Sequence, residues 1–169
     1  MPDAPADWLV ENIDLIPRGH TILDLACGRG RHAVFLAQHG WAVHAVDRDS
    51  GALAELRAVA ETAGLPITTE EIDLEVGTSL GDQRYGGVIV FNYLHRPLMP
   101  AITAAVAPGG VLVYETFTAG QARRGHPKNP AFLLDAGELP RLVTPLEVLR
   151  SREGEFDGKL LASVVAARR

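Results

Sequence analysis

The sequence predicts an α/β fold built on a mostly parallel sheet, and three observations carry that expectation. Short β-rich segments alternate along the chain with segments of helical periodicity, the order that gives strand–helix–strand units. Gly87-Val88-Ile89-Val90-Phe91 is a continuous apolar run, as expected of a parallel strand buried on both faces. A glycine-rich turn, Gly28-Arg29-Gly30, follows the first β-rich segment and opens a helix.

The elements follow in order. Trp8, Leu9, Ile13 and Ile16 recur at helical spacing, which predicts a helix over about Asp7 to Ile16, stopped by Pro17-Arg18-Gly19. Thr21 to Leu25 reads as a short strand, and Arg31 to His39 as a helix with Gly40 just past its end. Trp41 to Val46 is a second strand. Asp49 or Ser50 can cap a helix whose Leu53, Leu56, Val59 and Ala60 share a face, ended by Gly64 and Pro66. Ile67 to Ile72 is the third strand and Gly87 to Phe91 the fourth. Pro100 suits the first turn of a helix running through Val106, and Pro108-Gly109-Gly110 leads into a fifth strand, Val111 to Tyr114. The alternation then breaks: Leu146 to Phe156 and Lys159 to Ala167 are two β-like segments joined by Asp157-Gly158, a pair that permits a tight hairpin turn. The second of them is apolar or small at nearly every place, so it is expected inside the sheet and not at its edge.

With 169 residues, 47% of them apolar, the chain fits one domain spanning residues 1–169, and neither repeat nor linker divides it. The apolar fraction excludes a disordered chain, and no apolar run approaches the ~18 residues of a membrane-spanning helix. MPDAPADW carries two acids and no basic flank, unlike a secretory signal, and the single cysteine, Cys27, has no partner for an internal disulfide. A cytoplasmic location is therefore expected, with no membrane association. The net charge of −5 argues against a general nucleic-acid binder.

Gly28-Arg29-Gly30-Arg31-His32-Ala33 fits the G-x-G-x-x-G/A pattern of a nucleotide-binding turn, in which glycines let the backbone bend sharply and let a ligand approach the main chain. Asp47 ends the second strand at the spacing of about 20 residues where a carboxylate accepts ribose hydroxyls. Asp24 stands in the strand just before the turn. A carboxylate there would repel the pyrophosphate of a dinucleotide but suits ammonium and sulfonium charges, which favours S-adenosylmethionine over NAD(P). No carboxylate set for a divalent metal is evident. Asp47, Asp49 and Asp73 are better explained by the cofactor.

TILDLACGRGRHAVFLA, AVDRDS, EEIDLE, GGVIVFNYLHRPL and APGGVLVYETF resemble, in order, the successive motifs of class I S-adenosylmethionine-dependent methyltransferases. FNYLHRPL and YETFTAG look closest to the branch grouped with the tellurite-resistance methyltransferases. The resemblance implies a doubly wound, seven-stranded sheet of order 3-2-1-4-5-7-6, strand 7 antiparallel, with helices on both faces. It also implies cofactor-binding roles: Asp24, Ala26, Gly28 and Gly30 around the methionine part, Asp47 on the ribose, Arg48 along the adenine, Asp73 at its amino group, and Asn92 facing the methyl. Cys27 is expected to be a small packed residue.

The acceptor is expected to be a small molecule, probed by basic residues that follow the carboxyl ends of the strands. Arg31 and His32 open the helix beside the cofactor, His95 and Arg96 follow strand four, and Arg123, Arg124 and His126 lie in the long loop Thr116 to Leu134. A cleft rich in positive charge concentrates anions, so a small anionic nucleophile is expected, with His95 and Arg124, then Arg31 and His32, in contact with it. Two rival readings stay open at this point, an NAD(P)-binding oxidoreductase and a non-catalytic S-adenosylmethionine-binding module.

Overall fold

A computed structural model describes residues 2–77 and 79–169. Seven strands form one sheet: β1 (Ile22–Leu25), β2 (Val43–Asp47), β3 (Ile67–Glu71), β4 (Tyr85–Phe91), β5 (Val106–Phe117), β6 (Glu147–Phe156) and β7 (Lys159–Ala167). Their order is β3-β2-β1-β4-β5-β7-β6, as the resemblance implied. β1 to β5 pair in parallel, and β7 runs antiparallel to both β5 and β6. Among the described residues the α-helices are α1 (Asp7–Glu11), α2 (Arg31–Gln38), α3 (Ser50–Ala63), α4 (Met99–Ala104) and α5 (Glu138–Leu142).

Alternation along buried strands divides the core in two. One cluster joins Leu23, Val88, Val90, Leu112 and Tyr114 to α4 and α5 through Ile102 and Leu139. The other joins Ile22, Ile89, Val111 and Val113 to Trp8 and Leu9 of α1, Leu36 of α2 and Leu53 and Leu56 of α3. Helices therefore cover both faces, and strands β1 and β4, buried at every residue, carry almost no polar side chains. β7 lies between β5 and β6 and is buried from Leu161 to Ala166. Among the described residues no helix is long and apolar enough to cross a membrane.

Three departures from the sequence reading have local causes. The first helix ends at Glu11, not Ile16, because the Asn12 side-chain amide donates to the Trp8 carbonyl at 2.8 Å and a 3-10 turn follows at Ile13–Leu15. β5 begins at Val106, where the sequence suggests the end of a helix. Val106 pairs with Tyr85, and the register then jumps to Gly87 with Val111, so Pro108-Gly109-Gly110 forms an irregularity within the ladder. Gly110 is needed there, since a Cβ would sit 2.9 Å from the carbonyl oxygens of Ala107 and Gly86. α5 has no counterpart in the sequence reading, for five residues are too few to show a helical period. The β6–β7 turn is as expected, with φ of +53° at Asp157 and +75° at Gly158.

Candidate active site

The carboxyl ends of β1, β2 and β4 set the geometry. After β1 the chain turns through Ala26 (φ +56°), Gly28 (φ +55°) and Gly30 (φ +83°) before entering α2. A Cβ on Gly30 would lie 2.5 Å from Leu56 of α3, so the turn packs tightly as well as bending sharply. Asp47 at the end of β2 holds the turn: its Oδ2 accepts the Gly28 N–H at 2.8 Å and its Oδ1 accepts the Asp49 N–H at 2.9 Å. Each carboxylate oxygen keeps a second lone pair for a ligand. Asp49 in turn caps α3 through the Ala52 N–H at 3.0 Å.

Asp24 is 1% exposed, and its Oδ2 finds no partner among the described residues. Desolvation pushes its carboxyl up to about 7, the Asp47 charge adding to that effect while a backbone hydrogen bond from Ala33 and the charge of Arg31 oppose it. A buried, half-satisfied acid beside a glycine turn is costly to the free fold, and a cationic ligand group would relieve it. Cys27 is buried with its thiol directed to the Gly28 carbonyl at 3.4 Å. Burial and the neighbouring acids push that thiol well above its ordinary range, so it is packed and unreactive, as expected.

Two cavities flank this turn. The larger, about 540 Å³, runs from Asp47, Arg48, Asp73 and Leu74 across Asn92 and Tyr93 to Thr116, Phe117, His126 and Phe132. The other, about 460 Å³, is lined by Cys27, Gly28, Arg31, His32 and the N-terminal Pro2 and Asp3. Ala26 and Asn92 line both. These two are also the non-glycine residues, besides Asp157, with left-handed backbone, so strain is stored where the cavities meet. Asp73 orders the turn after β3 by accepting the Glu75 N–H at 3.0 Å, and Arg48 reaches toward Glu75 at 3.7 Å. The larger cavity thus gathers Asp47, Arg48, Asp73, Asn92 and Ala26 from four separate segments. Gly28 lines the smaller one. Among the described residues no group of three or more His, Cys, Asp or Glu could hold a metal ion.

The basic residues divide differently from the sequence reading. His32 is buried on the inner side of α2, its ring 4.2 Å from Phe91, and its Nε2 accepts the Ala6 N–H at 3.1 Å. Desolvation, with the charge of Arg31, lowers its pKa to about 3, so it is a neutral fastener for the N-terminal segment. Arg31 donates to the Ala4 carbonyl at 3.3 Å and borders the smaller cavity. Arg124 is exposed and paired with Glu155 of β6 at 2.8 Å, with a further contact to the Gly158 carbonyl at 3.4 Å. It lines neither cavity, and neither does His95, which precedes a 3-10 turn at Arg96–Leu98. Arg124 therefore belongs to the loop–hairpin contact and is not brought to the acceptor end. Arg124→Ala is expected to leave the acceptor KM and cofactor affinity within about twofold of the parent, since exposed ion pairs contribute little, checked by steady-state kinetics and calorimetry.

Of the basic residues that follow strands four and five, His126 lines the larger cavity. The sequence reading missed the wall around it: Thr116 and Phe117 at the end of β5, and Pro127 and Phe132 in the irregular segment beyond, where no periodicity marks a buried face. Tyr93 also lines it. Its hydroxyl is buried without a partner among the described residues, and desolvation, with Glu75 and Asp73 nearby, pushes its pKa up to about 12.

A parallel sheet with an antiparallel seventh strand inserted before the sixth, and a two-part cleft over a glycine turn and two strand-end carboxylates, define the class I methyltransferase fold. Residues 22–110, over half of the chain, match the family described as "Methyltransferase domain". The chain belongs to that family. Among curated proteins it is 28% identical over 138 residues to Hemagglutinin 1 of Eikenella corrodens, an alignment covering 78% of this chain and 45% of that one. It is 29% identical over 82 residues to the probable S-adenosyl-L-methionine-dependent methyltransferase TehB of Haemophilus influenzae, covering 48% of this chain and 29% of the relative. The chain thus spans less than half the length of these relatives. The crystal structure of TehB from H. influenzae superposes with a TM-score of 0.82 at 19% identity, over all of this chain and 64% of that one, a likeness of fold. A glycopeptide N-methyltransferase, MtfA, whose structure was solved with S-adenosyl-L-homocysteine, has a TM-score of 0.70 at 19% identity, covering 99% of this chain and 92% of that one.

Proposed function

We propose that this chain transfers the methyl group of S-adenosylmethionine to a small anionic nucleophile. The observation that carries the reading is the pair of cavities meeting at Ala26 and Asn92, with the half-satisfied Asp24 carboxylate buried beneath the same turn. When bound, S-adenosylmethionine supplies an electrophilic methyl on a sulfonium.

The chain's own residues then have separable tasks. Asp47 offers its free lone pairs to the ribose hydroxyls while its other lone pairs fix the glycine turn. Arg48 and Asp73 border the adenine end, Asp24 answers positive charge at the amino-acid end, and Gly28 leaves the backbone open to close approach while Gly30 packs the turn against Leu56. Asn92, shared by both cavities, marks the place where the methyl meets its acceptor. His126 offers an imidazole to that acceptor, and Thr116, Phe117 and Phe132 shut out water. An anion needs no general base, and its attraction to the sulfonium strengthens as water is excluded. Alignment in a dry cleft is then the main task of the protein.

Calorimetry with S-adenosylhomocysteine and with NADH tests the cofactor. S-adenosylhomocysteine is expected to bind and NADH not to, because a buried carboxylate beside the turn opposes a pyrophosphate. Asp47→Ala is expected to weaken binding at least tenfold, since the charge-assisted bonds it would remove are each worth about 1.5–3 kcal/mol. Tighter binding of NADH would overturn the reading in favour of an oxidoreductase. Labelled methyl transfer to a panel of thiols, carboxylic acids, oxyanions and amines tests catalysis. A cofactor-binding protein inert toward all of them would be a binding module.

A further inference from the structure

The acceptor end of the larger cavity carries a second inference, resting on the reading above. Arg96, in the turn after β4, is held by one segment. Its Nε and Nη2 donate to Glu138 Oε2 and Oε1 at 2.7 and 2.8 Å, Nη2 also donates to the Leu133 carbonyl at 2.8 Å, and Nη1 to the Ala131 carbonyl at 3.3 Å. Glu138 Oε1 additionally accepts the Asp135 N–H at 2.9 Å. The two carbonyls gripped by Arg96 belong to the residues on either side of Phe132. Leu134 next to them is buried and bonds back to the sheet, its N–H to the Phe117 carbonyl at 2.9 Å.

Phe132 is nevertheless 42% exposed, and it lines the cavity. The bidentate pair with Glu138 and the bonds to the flanking carbonyls fix the backbone on either side of this half-exposed ring. Phe117, Tyr93 and Pro127 line the same cavity. Aromatic faces carry negative quadrupole and give an anion nothing in exchange for its hydration. A bare inorganic oxyanion would need several donors, and His126 brings one imidazole to this lining.

We infer that the acceptor has an apolar, ring-sized body carrying a single anionic group, and that Arg96 is a positioning residue that sets this preference by holding Phe132 over the cavity. The anionic group faces His126 and the cofactor. The apolar body lies between Phe132 and Phe117. Arg96 itself, turned to Glu138 and two carbonyls and outside the cavity lining, does not meet the acceptor.

Calorimetric titration of benzoate, acetate and selenite into the whole chain, with and without saturating S-adenosylhomocysteine, tests this. Benzoate is expected to bind about tenfold or more tighter than acetate or selenite, the gain of burying a ring. Phe132→Ala should erase most of that margin, and Phe132→Leu should restore part of it. Arg96→Lys, which keeps a charge but loses the fork, should narrow the margin in the same way. Acetate or selenite binding as tightly as benzoate would overturn the inference. So would a Phe132→Ala variant that weakens all three probes equally, or an Arg96→Lys variant that loses S-adenosylhomocysteine as much as benzoate. Failure to bind S-adenosylhomocysteine with the benzoate margin intact would instead sink the methyl-donor reading and leave this one standing.

Discussion

Removing residues from Lys159 onward is expected to abolish cooperative folding. β7 sits between β5 and β6, and its registers run from Val111 with Ala167 to Phe117 with Leu161 on one side and from Glu147 with Ala167 to Phe156 with Lys159 on the other. Its loss leaves β6 with no neighbour and exposes the whole length of β5. Leu161, Ala162, Val164, Val165 and Ala166 are all buried. At about 1.5–3 kcal/mol for each of the three larger side chains, the apolar loss alone approaches the 5–15 kcal/mol net stability of an ordinary domain. The Trp8 indole N–H also loses its acceptor, the Val164 carbonyl at 3.2 Å, which loosens α1. The truncated chain should therefore show no sharp thermal transition by circular dichroism and no binding of S-adenosylhomocysteine. A truncated protein that unfolds cooperatively and binds the ligand would mean that β7 adds little to the sheet.

The centrality of that strand was legible because burial on two faces writes itself into every residue. Leu160 to Ala166 has hardly a polar position, whereas the edge strand β6, with Arg150, Arg152 and Glu153, does. The glycine-turn end of the cleft was legible for a related reason. Asp24 lies in β1 and Ala26, Gly28 and Gly30 in the turn that follows it, so the spacing along the chain is the spacing in space, and Asp47 ends a strand whose register is fixed by the sheet, with Asp73 in the turn after β3. Asp47 accepting the Gly28 N–H turns two separate motif residues into one unit.

The acceptor end was not legible, because which way a loop side chain points depends on partners far along the chain. Glu155 decides the direction of Arg124, and Glu138 that of Arg96. Neither pair shares an element, so no periodic pattern connects them. His32 did carry a usable signal: it stands four residues before Leu36, which is fully buried on α2, and residues at that spacing share a helix face. Composition alone counted its charge toward the cleft. The fold instead uses it, uncharged, to accept the Ala6 N–H.

Binding of S-adenosylmethionine is expected to fall about tenfold for each pH unit below 7 and to level off above it. Asp24 in the free protein holds its proton up to about 7 because burial disfavours the charged form. A ligand with ammonium and sulfonium charges requires the carboxylate, so below that pH each binding event must first remove a proton. The free fold responds with the opposite sign. Asp24 has a folded pKa raised above its ordinary 3.8, so its contribution to stability is fully present below 3.8 and is lost as pH rises toward about 7. At pH 8 the unliganded protein therefore carries a buried, half-satisfied charge. Asp24→Asn keeps the shape and removes that charge. It should raise the Tm of the free protein at pH 8, weaken S-adenosylmethionine at least tenfold, and flatten the dependence of affinity on pH between 5 and 7. Calorimetry in buffers of different ionisation enthalpy should detect close to one proton released on binding near pH 6, and none in the variant. An affinity for S-adenosylmethionine independent of pH in the parent, or a variant that binds it as tightly, would show that Asp24 does not meet the cationic end of the cofactor and that its burial serves the turn alone.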